Sequence, residues 1–162
     1  MKMIFSVSDM TEAYALEISK WVYENEYSVY SFEQNEETIA ELLNGDYTAC
    51  VDANNNLAGY FCQGKSACIP TKECYLYSGD RLDMGLGMHP ALCGKGMGYD
   101  FIRCGIQHLT QQNPDVRLRL TVACFNKRAI SLYEKVGFVV ERTVTHKTLG
   151  QPFYIMVRQA DL

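Results

Sequence analysis

Hydrophobic and polar positions alternate along residues 82–88, which predicts a β-strand with a period of two. Pro90 has no amide hydrogen for a strand ladder, so we expect the strand to end near His89. From Met97 the period becomes helical. One face carries Met97, Phe101, Ile102, Gly105, Ile106 and Leu109, and the opposite face carries Asp100, Arg103, Gln107 and Gln111.

The rest of the chain also predicts strands and helices in mixed order. Ser8 or Asp9 is the predicted cap of the first long helix, Asn126 caps a later one, and Gly137 closes it. The expected strands are 2–7, 46–52, 57–63, 117–124, 138–143 and 153–157; the expected helices are 10–24, 36–43 and 127–135; residues 64–80 are expected to be a surface excursion. This alternation predicts an α/β or α+β fold with one mixed sheet.

Three glycines alternate with other residues in Cys93-Gly94-Lys95-Gly96-Met97-Gly98, between the predicted strand and helix. Such a turn leaves backbone N–H groups free at the positive end of a helix dipole, where a phosphate or pyrophosphate binds. A tight turn that only connects two elements is the alternative. The dinucleotide fingerprint fails at Tyr99, and the P-loop pattern fails at His89 and Gly96, so neither NAD nor ATP is supported.

The composition fits one globular domain, 1–162, because 162 residues that are 48% hydrophobic and 21% charged suffice for a core. A net charge of −4 disfavours nucleic-acid and anionic-membrane partners. Seven cysteines without a C-x-x-C pair predict neither a disulfide framework nor a zinc site, and so no metal. This cysteine usage suits a reducing cytoplasm, and we see no signal peptide or membrane span.

The glycine segment resembles the acetyl-CoA loop of the GNAT (GCN5-related) N-acetyltransferases, whose pattern is Q/R-x-x-G-x-G/A. It follows Met88-His89-Pro90, which is similar to the V-x-P of the family. A second motif lies at the spacing of the family: LTVACFN, residues 120–126, then AISLYEKVGF, residues 129–138. The resemblance covers about half of the chain, and it departs from the family at Cys93, where Gln or Arg is usual.

The resemblance implies a single GNAT-like domain with a mixed, mostly antiparallel central sheet flanked by helices. It also implies acetyl-CoA as cosubstrate and no metal. The pyrophosphate would bind the segment from Cys93 to Gly98, whose members are Cys93, Gly94, Lys95, Gly96, Met97 and Gly98. The pantetheine arm would lie along Gly87 and Met88, in a slot where this strand splays from 117–124, and Asn126 would bond the arm as well as cap a helix.

Two catalytic residues are candidates. Tyr133 matches the family tyrosine that protonates the departing thiolate; the alternative is a core tyrosine on the face shared with Ile130 and Val136. Asp83 is the candidate general base, with an ordinary strand carboxylate as an equal alternative. Some relatives place a glutamate base where this chain has Thr121, so the interpretation leans toward an amine of low pKa or a base relayed by water.

The predicted function is transfer of an acetyl group from acetyl-CoA to a primary amine of a small molecule or of a protein N-terminus or lysine. The alternative is a sensor that binds acyl-CoA without turnover. The aromatic and acidic segment 23–32 is either a wall of the amine site or a packed connector. A homodimer is an open alternative to a monomer.

Overall fold

The computed structural model describes residues 3–160, apart from 74, 76 and 78. The strands are β1 (Ser6–Asp9), β2 (Tyr47–Val51), β3 (Leu57–Gln63), β4 (Leu82–Met88), β5 (Leu118–Ala123), β6 (Val139–Thr145) and β7 (Pro152–Arg158). The helices are α1 (Glu12–Ser19), α2 (Glu36–Leu42), α3 (Gly98–Gln112) and α4 (Lys127–Lys135), with 3₁₀ helices at Asn25–Tyr30, Gly64–Ala67 and Pro90–Leu92. The seven strands follow the order β1-β2-β3-β4-β5-β7-β6, and most pairs are antiparallel. This α+β architecture confirms the predicted fold class.

The chain divides into two compact units, one of residues 1–62 and 86–108 and the other of residues 63–85 and 109–162. In the first unit, β1 pairs with β2 and β2 with β3, both antiparallel. Its core includes Cys50, Phe61 and Phe101, against which Phe5 packs edge-to-face. Small residues allow α3 to approach β3 closely, because a Cβ atom at Gly105 would lie 2.6 Å from the Phe61 ring. The prediction that 1–162 is one domain stays a prediction.

In the second unit, β7 lies between β5 and β6 and pairs antiparallel with both. The parallel ladder of β4 with β5 joins Leu82 to Leu118 and Asp83 to Arg119, at the start of both strands. Hydrophobic residues of β5 and β7 fill the core, but the charged Asp83 and Arg119 are buried among them. This buried pair is the most polar feature of the second unit's core.

Two predictions near the N-terminus are wrong. The first strand is Ser6–Asp9, in which Ser8 and Asp9 pair with β2, so the predicted strand 2–7 is wrong at residues 3–5; residue 2 lies outside the described residues. The first helix is Glu12–Ser19 and not 10–24, with Thr11 as its cap through a bond from the Tyr14 amide. The chain leaves the helix because Trp21 is buried against the rings of Tyr60 and His89.

The predicted surface excursion at 64–80 is only partly one. Thr71 bridges to His146, and Tyr75 and Tyr77 are half-buried around Arg119. Cys74, one of the seven cysteines, lies outside the described residues. The predicted bounds of β2, β3, β4 and α2 agree with the structure to within a residue. No helix within the described ranges is long and apolar enough to span a membrane.

Candidate active site

The glycine segment of the first unit forms an open turn that leads into α3. Gly94 and Gly96 have φ values of +74° and +79°, which L side chains rarely adopt, so the turn requires glycine. Gly94, Lys95 and Gly96 are exposed, and no atom lies within 4 Å of a Cβ built at Gly96. Among the described residues, none accepts a hydrogen bond from the amides of 94–98. Free amides at the start of a 15-residue helix have the geometry with which helix N-termini bind anions.

Cys93 stands where the family usually has a longer polar side chain, and its thiol points back toward the strand. The Sγ atom donates to the carbonyl of His89 at 3.5 Å and, more weakly, to that of Met88 at 3.7 Å. The side chain therefore orders the end of β4. Any anion in the turn would meet backbone groups, which this substitution leaves intact.

Tyr23 also contacts the end of β4. Its hydroxyl donates to the Met88 carbonyl at 2.6 Å, and burial raises the pKa of this phenol well above its usual value, so it stays protonated. With the weaker bond from Cys93, the Met88 carbonyl already accepts from two side chains. Gly87 is required for packing, because a Cβ there would collide with the ring of Tyr60.

The second unit contains a buried ion pair between β4 and β5. Arg119 Nε donates to Asp83 Oδ1 at 2.6 Å and Arg119 Nη2 to Asp83 Oδ2 at 2.9 Å. Arg119 has no exposed surface, and Asp83 is 8% exposed. Hydrogen bonding to Asp83 raises the pKa of the Arg119 guanidinium, so Arg119 stays positively charged.

Aromatic residues surround this ion pair. The guanidinium lies 5.0 Å from the ring centroid of Tyr77 and 5.8 Å from that of Tyr75, within cation–π range. Tyr77 Oη accepts from the Ile69 amide at 3.3 Å and shares a hydrogen bond of 3.0 Å with Thr121 Oγ1, in which either hydroxyl can donate. The position where some relatives carry a glutamate base therefore holds a hydroxyl that is already bonded to a phenol.

Tyr133 and Asn126 lie in the second unit at opposite ends of α4. Asn126 caps the helix as predicted, because its Oδ1 accepts from the Ala129 amide at 3.2 Å. Tyr133 is 9% exposed and packs edge-to-face on Phe138, with ring centroids 6.1 Å apart. This burial agrees with the core alternative but does not exclude the catalytic one, since a small part of the side chain remains accessible.

The predicted site residues divide between the two units. Gly87, Met88 and the segment Cys93–Gly98 share the first unit; Asp83, Asn126 and Tyr133 share the second. Sequence reasoning missed Arg119, Tyr75 and Tyr77, and it named Tyr23 only as part of segment 23–32, without its bond to Met88. For Arg119 there was one signal, a charged residue in a mostly apolar strand, but its partner depends on the parallel register of β4 and β5.

An acidic cavity of about 310 Å³ lies in the first unit, where the connector 31–35 and α2 line it. Its lining includes three carboxylates and one aromatic ring: Glu33, Glu37, Glu41 and Phe32. Carboxylates and aromatic faces both attract cations. Within the described ranges, no group of three His, Cys, Asp or Glu side chains is arranged to hold a metal.

Comparisons with known proteins identify the family and the fold. The family model for the acetyltransferase (GNAT) family matches residues 11–138. No curated protein matches the chain significantly. Among solved structures, the aminoglycoside acetyltransferase AAC(6')-Ib with coenzyme A is 20% identical with a TM-score of 0.71, over 96% of this chain and 95% of that one.

Two further structures have the same fold. AAC(6')-Ib with paromomycin and acetyl-CoA has a TM-score of 0.70 at 20% identity, over 96% of this chain and 93% of that one. A chimera of the spermidine N-acetyltransferase SpeG from Vibrio cholerae with hSSAT has a TM-score of 0.69 at 19% identity, over 96% and 95%. Since the family model matches well over half of the sequence, the chain belongs to the acetyltransferase (GNAT) family.

Proposed function

We propose that this protein transfers the acetyl group of acetyl-CoA to a primary amine of a small molecule. The observation that carries the proposal is the open turn 94–98, whose free amides precede α3 inside the region matched by the family model. Acetyl-CoA supplies an activated thioester and a diphosphate. The solved AAC(6')-Ib structures that share the fold contain coenzyme A or acetyl-CoA, which supports the choice of cosubstrate.

In this proposal, the amides of the segment Cys93–Gly98 bind the diphosphate, and Gly87 and Met88 orient the pantetheine arm. The turn suits a diphosphate because both positive-φ glycines turn N–H groups outward and no Cβ blocks the approach. Only Leu82 and Asp83, at the start of β4, pair with β5, so Gly87 and Met88 at the other end of the strand lie outside that ladder. Asn126 is proposed to bond the arm while it caps α4.

Tyr133 is the proposed general acid. A phenol of ordinary pKa near 10 is a suitable proton donor to a departing thiolate, and it returns to its starting state by taking the proton lost by the amine. Its packing on Phe138 fixes the ring, which is the preorganisation that such a donor needs. The Tyr133 hydroxyl is the group on which the transfer chemistry depends most.

Asp83 stays a candidate base, but its contacts favour a structural role. Both of its oxygens accept from Arg119, so the lone pairs that would take a proton are engaged. The hydroxyl of Thr121 is not basic at neutral pH. We therefore propose an acceptor amine of low pKa or a base relayed by water. Deprotonating a lysine of pKa about 10.4 at pH 7 costs about 4.6 kcal/mol, against about 1 kcal/mol for an amine near 7.8.

The proposed acceptor is a small cationic amine. Three carboxylates line the cavity between residues 31 and 41, and they would attract a second ammonium group of such an amine. The structures with the same fold include enzymes whose names specify spermidine and aminoglycosides, both of which carry several amines. A protein N-terminus or lysine is the second candidate acceptor, and segment 23–32 is proposed to form part of the wall.

The test is thiol release from acetyl-CoA with a panel of amines, the acetylated product being identified by mass. We expect turnover with small polyamines or aminoglycosides, and a loss of about 10²–10⁴-fold in kcat for Tyr133→Phe with little change in KM for acetyl-CoA. Tyr14→Phe, in α1, is the matched control and should keep full activity. Acetyl-CoA binding without product from any amine would instead establish the sensor.

A further inference from the structure

A buried tyrosine of the first unit has a hydroxyl without a hydrogen-bond partner. Tyr60 lies in β3 and is 8% exposed, and within the described ranges no residue forms a hydrogen bond with its hydroxyl. Buried tyrosines usually bond their hydroxyl, because burying an unpaired polar group is unfavourable. An unpaired group of this kind therefore points to a ligand that bonds it.

The hydroxyl of Tyr60 is also accessible. Trp21 stacks on Tyr60 with ring centroids 6.4 Å apart and an interplanar angle of 28°. The indole Nε1 of Trp21 is unpaired and fully enclosed, so no ligand atom reaches it. Among the described residues, the fully enclosed unpaired atoms do not include Tyr60 Oη, so the exposed part of Tyr60 contains its hydroxyl. Of these two neighbours, Tyr60 is the one that presents a polar atom to a ligand.

The ring of Tyr60 lies against Gly87 of β4. A Cβ built at Gly87 would lie 2.3 Å from the Tyr60 ring and 2.5 Å from its Oη. Phe61, the next residue of β3, points to the opposite face of the sheet, where its ring packs on Gly105 of α3. In the proposed function the pantetheine arm lies along Gly87 and Met88. The Tyr60 hydroxyl would then lie beside that arm, on the face of the sheet away from α3.

Aromatic rings surround Tyr60 on that face. The ring centroids of Phe32 and Tyr47 lie 5.8 and 5.9 Å from that of Tyr60, and Trp21 stacks on it. Phe32 also lines the acidic cavity, together with Glu41 and other carboxylates. Ring faces and carboxylates both attract cations. The ligand group that suits this side of Tyr60 best is therefore an ammonium group.

The Tyr60 phenol can accept a hydrogen bond but cannot serve as a base. Burial raises the pKa of Tyr60 well above its ordinary value, so the phenol stays protonated. A protonated phenol keeps two acceptor lone pairs. It can therefore accept an N–H of an ammonium group, and later of the neutral amine, without a change of its own charge.

We propose that the Tyr60 hydroxyl accepts a hydrogen bond from the reacting amine of the acceptor and so holds that nitrogen beside the thioester. The inference rests on the proposed function, because it requires the pantetheine arm to lie along β4. Phe32 contacts Tyr60 and lines the acidic cavity, so a second ammonium group of the same acceptor would bind the carboxylates there. The acceptor class is thus a small molecule with at least two amines.

The experiment compares wild-type protein with Tyr60→Phe, which removes the hydroxyl and keeps the ring. Spermidine and paromomycin are titrated by calorimetry into the full-length protein saturated with coenzyme A, and acetyl transfer to each is measured at steady state. We expect Tyr60→Phe to bind the amine about 10–100-fold more weakly, the loss typical of one hydrogen bond to a charged group. The KM for the amine should rise, and the KM for acetyl-CoA should stay unchanged.

Unfolding in urea distinguishes this role from a structural one. Since the Tyr60 hydroxyl has no partner among the described residues, Tyr60→Phe should unfold at the same urea concentration as wild type or at a higher one. Tyr23→Phe is the matched comparison, because the Tyr23 hydroxyl donates to the Met88 carbonyl at 2.6 Å, and it should unfold at a lower urea concentration. Tyr14→Phe, in α1, should leave amine binding unchanged.

The outcomes separate this inference from the proposed function. Weaker amine binding in Tyr60→Phe without any acetylated product supports the amine site and rejects acetyl transfer. Acetyl transfer with the same amine affinity and the same KM in wild type and Tyr60→Phe supports the enzyme and overturns the inference. The inference is also overturned if wild-type protein binds neither amine, or if Tyr60→Phe is destabilised as much as Tyr23→Phe.

Discussion

Removing the carboxylate of Asp83 is expected to destabilise the protein strongly. The variant Asp83→Ala removes the two hydrogen bonds of 2.6 and 2.9 Å between Asp83 and the Arg119 guanidinium, which has no exposed surface and keeps its longer bond to the Tyr75 hydroxyl. Breaking a buried ion pair by deleting one partner typically costs about 3–5 kcal/mol, because the remaining charge is buried without compensation. The rings of Tyr75 and Tyr77 continue to face the guanidinium and offset part of that cost.

The expected loss is large compared with a total stability of about 5–15 kcal/mol. With a urea slope of about 2 kcal/mol/M, a loss of 3–5 kcal/mol lowers the unfolding midpoint by about 1.5–2.5 M. Equilibrium unfolding in urea, followed by circular dichroism and by Trp21 fluorescence, measures this shift. Coincidence of the two probes checks that the transition is two-state.

A matched control exists in the same unit. Asp80 and Arg117 form an ion pair of the same residue types, but at 3.5 Å and with side chains 49% and 41% exposed. Asp80→Ala should therefore cost about 0–1 kcal/mol. The double variant Asp83→Leu with Arg119→Met should cost far less than the sum of its single variants, because it buries no unpaired charge.

The same variants distinguish a structural role of Asp83 from a catalytic one. If the ion pair is structural, Asp83→Ala lowers stability, and the double variant recovers both stability and acetyl transfer. If Asp83 is the base, the double variant folds but stays inactive. The reasoning is refuted if Asp83→Ala unfolds at the same urea concentration as Asp80→Ala, or if the two single effects simply add.

Two further predictions concern packing and pH. Gly59→Ala should lower the free energy of unfolding in urea by about 1–3 kcal/mol, because the new Cβ would meet the Phe101 ring at 2.5 Å and a backbone oxygen of β4. Gly79→Ala is the control, since a Cβ there would meet open space, and it should change the stability little. Equal effects of the two variants would contradict the packing argument. Glu73 accepts from the Thr145 amide at 2.7 Å and from its hydroxyl at 2.8 Å, which lowers the pKa of Glu73. The resulting stability is present above the unfolded pKa of about 4.3 and is lost as the pH falls through the lower folded value, so the advantage of wild type over Glu73→Gln should vanish in acid. An advantage that is independent of pH would contradict this assignment.

Local patterns predicted much of the fold because the signals were local. The alternation of apolar residues in β4, the asparagine cap of α4 and the glycine that ends it at φ +102° depend on neighbours within a few residues. The first helix was predicted too long for the opposite reason. It ends where Trp21 turns into the core, and the partners of that ring are distant in sequence.

The candidate site divides in the same way. The glycine turn was visible because its chemistry depends on backbone conformation, which glycine spacing indicates. The environment of Asp83 was not visible, because its pairing with Arg119 requires the register of two parallel strands. Tyr77 was hidden for the same reason, since it reaches Thr121 across 44 residues of sequence.

The central claim is that the amides of residues 94–98 bind the diphosphate of coenzyme A. The most direct measurement is the shift of backbone amide resonances in ¹⁵N-labelled protein as coenzyme A, adenosine 3′,5′-bisphosphate or pantetheine is added. We predict that coenzyme A moves the resonances of Gly94, Gly96 and Gly98 more than most others, that the bisphosphate moves them less, and that pantetheine leaves them in place. Binding of coenzyme A that leaves these three amides unshifted would contradict the account.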